Sequence, residues 1–196
     1  MLSLEVALSA VGEQRWPPQR IVGARVVLEK HRMERAEEMF ACVEQDRDRL
    51  GRWLPWVQHA LTLNDEQDYI RHTHKGWDDA TLFDFSILRQ DTGAYCGNVG
   101  VHHLRWEHGG AELGYWVSGE HEGQGLVADA VRTVQAALFD LGIRRIEIRC
   151  DPGNERSQAI PKRLGYTFEG CLRQNLRVGE EWRDTLVFSL LVGEIE

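Results

Sequence analysis

The stretch Ala111-Glu112-Leu113-Gly114-Tyr115-Trp116-Val117-Ser118-Gly119-Glu120-His121-Glu122-Gly123-Gln124-Gly125-Leu126-Val127 decides how the rest of the chain is read. Glu112 to Val117 reads as a strand, followed by a glycine-rich turn and the start of a helix. Val127, Ala130, Val131, Val134, Ala137, Leu138 and Leu141 then recur at helical spacing, and Gly142 stops the run. A strand that feeds a glycine turn and a helix N-terminus aims several backbone N–H groups at one spot. The helix dipole adds to them, and an anion such as a pyrophosphate suits that spot. A plain tight turn before a helix is the other reading of the same glycines.

The whole chain bounds the answer. Its 196 residues suffice for one domain with a real core. A hydrophobic content of 42% and a charged content of 28% are ordinary for a soluble globular protein. The net charge of −8 argues against nucleic acid as the partner and is compatible with cationic substrates such as amines. Residues 125–177 run the other way, with nine Arg or Lys against six Asp or Glu, and an anionic ligand sits best against that segment. Cys42, Cys96, Cys150 and Cys171 are widely spaced and read as small buried side chains in a reducing compartment. The N-terminus lacks a basic region followed by an apolar run, and no segment approaches the length of a membrane span. These features predict a cytoplasmic protein.

Taken in order, residues 1–20 are expected to be a loose arm, with a short strand in Leu2–Leu8, available for a dimer contact. A domain over 21–196 follows. The patterning predicts a strand over Ile21–Glu29 and a helix over His31–Leu50. Trp53-Leu54-Pro55-Trp56 makes a loop, and a helix capped by Asn64 follows to about Asp78. Strands are expected over Leu82–Leu88 and Ala94–Arg105, joined by a hairpin at Asp91-Thr92-Gly93. Beyond the 125–142 helix come a strand over Arg144–Cys150 and a helix from Asn154 to about Leu164 that Pro161 should kink or shorten. A last hairpin joins Tyr166–Val178 to Thr185–Val192 around Gly179. The order is that of a mixed α/β sheet. His102 and His103 are adjacent on a strand, and His72 and His74 sit two apart on a helix, so neither pair converges on a metal.

Several of these pieces together resemble the GNAT acetyltransferases, and within them the RimJ/RimL branch of ribosomal-protein N-terminal acetyltransferases. They are Trp53-Leu54-Pro55-Trp56, Asp91-Thr92-Gly93, Glu112-Leu113-Gly114-Tyr115-Trp116, Gly123-Gln124-Gly125, Asn154-Glu155-Arg156-Ser157, Leu164-Gly165-Tyr166-Thr167-Phe168-Glu169-Gly170 and Asp184. The resemblance runs from about Ile21 to Val192. It implies a mixed, mostly antiparallel sheet splayed at its centre, with helices on both faces. It implies acetyl transfer from acetyl-CoA to a primary amine, directly within a ternary complex and without a metal. The pantetheine arm would lie between strand 112–118 and strand 144–150, against Trp116 and Val117. The N–H groups of Gly123, Gln124, Gly125, Leu126 and Val127 would take the pyrophosphate, Asn154 the amide arm, and Ser157 would face the thiolate. Trp53 and Trp56 would roof the acceptor cleft, with a hydrophobic staple between two helices as the other reading of the pair. Two positions depart from the pattern. Glu120 stands where Gln or Arg is common and is expected to point away. Leu176 stands where a catalytic glutamate is sought.

The acceptor decides how hard the chemistry is. A protein α-amine, with a pKa near ~8, is about one-tenth neutral at pH 7, whereas a lysine amine at ~10.4 is under ~0.1% neutral. An α-amine therefore needs only a weak base or a water chain. Glu112 is the base candidate, directly or through water, with a surface carboxylate as the alternative reading. Ser157 is the candidate acid to the thiolate, with an ordinary first-turn serine as its alternative. A backbone N–H near Val117 is sought as the oxyanion donor. The leading expectation is acetylation of a protein N-terminal α-amine. A small amine such as a polyamine or aminoglycoside, or a CoA-binding module without catalysis, are the alternatives.

Overall fold

The computed structural model describes residues 16–194, so the expected strand in Leu2–Leu8 lies outside the described residues. Among the described residues eight strands form one sheet, in the order β1-β2-β3-β4-β5-β6-β8-β7. They are β1 (Arg20–Val22), β2 (Val26–Lys30), β3 (Phe83–Arg89), β4 (Tyr95–Arg105), β5 (Gly110–Val117), β6 (Arg145–Cys150), β7 (Thr167–Val178) and β8 (Glu181–Leu191). β5 and β6 run parallel, and every other neighbouring pair among the described strands is antiparallel. The helices are α1 (Ala36–Gln45), α2 (Arg47–Gly51), α3 (Leu63–Asp78), α4 (Leu126–Asp140) and α5 (Glu155–Arg163). None is long and apolar enough to cross a membrane.

Side-chain alternation explains the layering. Val26 and Leu28 of β2 face α4 and pack with Leu126, Ala130, Val134 and Leu138. Val27, between them, faces the other way and packs with Ala36 and Met39 of α1 and Ile70 of α3. Helices thus cover both faces, as expected.

The departures from expectation are local and have visible causes. Ile21–Glu29 is not one strand: Gly23 N–H turns back to Val26 O at 2.8 Å, so β1 and β2 make a hairpin. The buried Asp129 carboxylate of α4 holds that turn through the N–H groups of Arg25 (2.7 Å) and Val26 (3.2 Å). The expected helix over His31–Leu50 is broken into a 3-10 turn, α1 and α2, with non-helical Asp46 at the joint. Asp46 has other work, since its carboxylate accepts from Gly119 N–H and from Arg49. Thr62, not Asn64, caps α3. Its hydroxyl accepts from Asp65 N–H, and the Asp65 carboxylate accepts from Thr62 N–H, a complete capping box. The cysteines are free, but Cys171 is exposed, because it lies on the edge strand β7.

The central break in the sheet positions the site. β5 and β6 pair from Gly110↔Arg145 to Leu113↔Ile148, and no further. β5 continues to Val117 and β6 to Cys150 as two strands that have parted.

Candidate active site

One edge of the parted strands is a bare strand edge. Ser118 N–H donates to Cys96 O at 2.7 Å. Antiparallel bonding alternates along a strand, so Trp116 and Gly114 bond to β4, while the N–H groups of Tyr115 and Val117 face the gap toward β6. The Val117 carbonyl on that side is taken by Arg49 Nη2 at 2.7 Å. Arg49 also bonds Asp46 (2.8 Å) and Glu122 (2.6 Å), and so fixes the end of β5, the joint between α1 and α2, and the glycine turn to one another.

Below the gap is the turn. Gly123 and Gly125 both have left-handed φ, +73° and +77°, and a Cβ on either would meet nothing within 4 Å. The turn therefore needs glycine for its backbone conformation, and the space in front of it is open. Gly125 occupies the N-cap position of α4 with no side-chain cap, leaving the first N–H groups of a 15-residue helix free of one. Arg89 bonds the Gln124 side chain, and Arg25 lines the same open recess. The Glu120 carboxylate turns away and accepts from Gln45 Nε2 at 3.2 Å, as expected. Donors, dipole, positive charge and open space fit a pyrophosphate.

Above the gap lies α5. Asn154 caps it, with Oδ1 accepting from Ser157 N–H at 3.1 Å, so its Nδ2 is the atom left for another partner. The expected effect of Pro161 takes an unexpected form. α5 runs on to Arg163, but Pro161 lacks the N–H that would bond Ser157 O four residues back. Tyr115 of β5 takes that place, its hydroxyl donating to Ser157 O at 2.8 Å across the gap. The Ser157 hydroxyl in turn donates to the Tyr115 oxygen at 3.4 Å. Burial pushes the Tyr115 hydroxyl well above its usual range, with the Ser157 bond opposing. Burial likewise pushes the nearby Cys150 thiol up to about 11, so it stays protonated at neutral pH.

On the opposite face of β4 and β5 is a cavity of about 410 Å³. Leu54, Trp56, Ala60 and Trp116 form its apolar side, with the Trp56 and Trp116 rings 6.0 Å apart. Glu66, Asp84, Asn98 and His102 form its polar side, and Gly114 and Tyr115 join it to the gap. Gly100 makes room for the ring of His102, whose Nε2 would stand 2.6 Å from a Cβ there. Beneath the polar side, Tyr69 donates to Asp84 Oδ2, and His31 Nε2 stands 3.5 Å from Asp84 Oδ1. Burial raises the Asp84 carboxyl, but His31 and Tyr69 outweigh it and hold it below the usual range. Glu66 goes the other way. Burial lifts its carboxyl to about 7, with His31 opposing and Asp84 adding to the rise.

A scan against family models matches residues 25–167 to an acetyltransferase (GNAT) domain. The chain belongs to the GNAT acetyltransferase family. Acetyl-CoA is the acyl donor that membership supplies. Among related GNAT proteins, YdaF of Bacillus subtilis (strain 168), which carries the name of a ribosomal N-acetyltransferase, is 31% identical over 163 residues. That match spans 82% of this chain and 88% of YdaF. The ribosomal-protein-serine acetyltransferase of Escherichia coli (strain K12) is 27% identical over 109 residues, covering 55% of this chain and 60% of that protein. A solved structure of RimL, the ribosomal L7/L12 α-N-protein acetyltransferase, in complex with coenzyme A shares the fold at a TM-score of 0.84 and 19% identity, over 88% of this chain and 98% of that one.

The sequence-predicted residues of this GNAT chain divide in two. Val117, Gly123, Gln124, Gly125, Leu126, Val127, Asn154 and Ser157 border the gap and its turn. Trp116 turns away from the gap, since its backbone bonds to β4 and its side chain packs in the cavity with Trp56 and Tyr95. Trp56 lines the cavity, but Trp53 does not. Trp53 lies beside Gly153 at the turn between β6 and α5. Glu112, the base candidate, lies in an ion-paired cluster. Its carboxylate is 3.1 Å from His103 Nδ1 and 3.3 Å from Arg149 Nε, and it is not among the residues lining the cavity. Leu176 is an exposed residue of β7.

Sequence reasoning missed Glu66, Asp84, Arg49 and the Tyr115 tether. One signal was available: Glu66 shares the buried stripe of α3 with Ile70, Thr73 and Trp77 at spacings of four, three and four. Among the described residues no group of His, Cys, Asp or Glu is placed to hold a metal.

Proposed function

We propose that this chain acetylates a protein N-terminal α-amine, working in the cytoplasm by direct transfer in a ternary complex. The observation that carries the reading is the junction at Gly114 and Tyr115, where a backbone-lined gap for the donor meets a side-chain-lined cavity for the acceptor. Two openings that meet at one strand suit two substrates bound together. Cys150, held as a neutral thiol, is poorly suited to carry an acyl group between them.

The roles follow from the geometry. The N–H groups from Gly123 to Val127 hold the pyrophosphate, and Asn154 Nδ2 donates to the amide arm. Val117 N–H, on the bare edge of β5, receives the charge that develops on the thioester oxygen. When bound, acetyl-CoA supplies the activated acetyl group. Ser157 and Tyr115 share a hydroxyl pair beside the gap, from which a proton is available to the departing sulfur. Trp56 and Trp116 shape the acceptor entrance, an apolar wall against which a chain terminus is held. The α-amine is favoured over a small polyamine by the names of the relatives and by that wall, which suits the chain following an α-amine better than it suits a second ammonium.

A panel of acceptors tests this reading through release of free thiol. Peptides with a free N-terminus are expected to react well. Peptides with a blocked N-terminus and a lysine, and small polyamines, are expected to react far more slowly. Equal rates on free and blocked peptides would overturn the α-amine reading.

A further inference from the structure

Glu66 is a carboxylate without a structural task. Its residue is 4% exposed, yet among the described residues no donor lies within hydrogen-bonding or ion-pairing reach of its side chain. It faces the cavity rather than packed protein. The contrast with Asp84, 3% exposed in the same polar wall, is direct, because Asp84 has Tyr69 and His31. Burying an unpaired carboxylate is costly, and a fold that needed only packing would place an apolar side chain there.

We infer that Glu66 is the catalytic base: it receives the acceptor's ammonium in the cavity and takes one proton from it. The inference rests on the proposed amine substrate and names the group that makes the amine reactive. In this step one N–H bond of the ammonium breaks and one O–H bond forms on Glu66. The products are a neutral amine with a free lone pair and a neutral carboxylic acid. No oxidant or further reactant is involved, and the proton leaves to water through the cavity mouth after turnover. The carboxyl's raised affinity for a proton, near that of an α-amine at ~8, makes the transfer close to balanced.

Several groups face Glu66 and shape its titration. His31 follows β2, Asp84 comes from β3, Tyr95, Asn98 and His102 from β4, Tyr69 from its own helix, and His59 from the segment before α3. His102 is the competing base, since its ring lies over Gly100 and next to Gly114.

The test is the pH dependence of kcat on the full chain, with saturating acetyl-CoA and a peptide bearing a free α-amine. The variants are E66Q, E66D and H102A. The wild-type rate is expected to rise with pH through an acidic limb near 7. E66Q is expected to lose about 100-fold or more in kcat and to lose the limb, with its acetyl-CoA affinity preserved. E66D is expected to keep a limb at a reduced rate. A kcat for E66Q close to wild type overturns the inference, as does a limb that survives in E66Q and vanishes in H102A. If E66Q does not fold, wild-type protein decides with acceptors of graded amine pKa. The same series is run on H102A: a limb that stays near 7 in both proteins supports Glu66, and a limb that moves with the amine or vanishes in H102A overturns it. A wild type that acetylates no amine at all would instead strike at the proposed function.

Discussion

The two openings that meet at Tyr115 are built from different materials. The donor gap is a backbone construction: a bare strand edge at Val117, glycines at positive φ, an uncapped helix N-terminus and one capping asparagine. The acceptor cavity is a side-chain construction, with carboxylates, histidines and tryptophans brought together from α3, β3, β4, β5 and the segment before α3. A backbone site recognises what every reaction of the family shares. A side-chain site sets what differs, because each residue in it can change without disturbing a strand. The donor half should therefore tolerate little change, and the acceptor half should be tunable.

The most damaging test strikes the backbone half. Gly125→Val has room for its side chain but not for its φ. Its acetyl-CoA affinity is expected to fall by about 1,000-fold, since two or more charge-assisted N–H bonds lose their aim. The strain should cost the fold only ~1–2 kcal/mol. Calorimetric titration that finds intact binding would break the assignment of the turn. Next comes Ser157→Ala, which keeps the carbonyl that holds Tyr115 and removes the hydroxyl. Turnover should drop by about 100-fold while acetyl-CoA affinity barely changes. An unchanged rate would remove Ser157 from the chemistry and return it to the role of a first-turn serine.

The smallest effect belongs to the side-chain half and is read as stability. The folded-state pKa of Glu66, about 7, lies above the ~4.3 of an unfolded chain, so the folded state holds the proton more tightly. Its contribution is therefore most favourable at low pH and is lost as pH rises through that window. Between pH 4 and pH 6 wild type should lose about 2 kcal/mol relative to E66Q. Denaturant unfolding of both proteins across that range checks it, and parallel curves would show that Glu66 is not a buried lone carboxylate.

The same division explains what the sequence could disclose. Gly123, Gly125, Asn154 and Ser157 sit at fixed spacings around two helix starts, and local backbone physics demands those residue types there. The glycine turn, the Asn154 cap and the splayed sheet were therefore legible. The acceptor half depends on which residues meet across long separations. Glu66 and Asp84 are 18 positions apart, and no periodicity relates them to Trp116. Glu112 looked like a base because it shares a strand face with Gly114 and Trp116. Arg149, on the neighbouring strand β6, claims its carboxylate instead. The break at Asp46 was hidden for a similar reason: it answers to Gly119 and Arg49, and one of those lies 73 residues away.

The bridge from Tyr115 to the carbonyl that Pro161 leaves unmatched also acts as a ruler. Paired strands stand ~4.8 Å apart, a distance set by the peptide group and the same in every sheet. Where β5 and β6 part, no ladder dictates the spacing. A phenol ring, held at its far end by Ser157, ties β5 to α5 instead. The width of the opening is thereby written in the length of one side chain, and Pro161, a gap in the helix's own hydrogen bonding, frees the anchor from which it is measured.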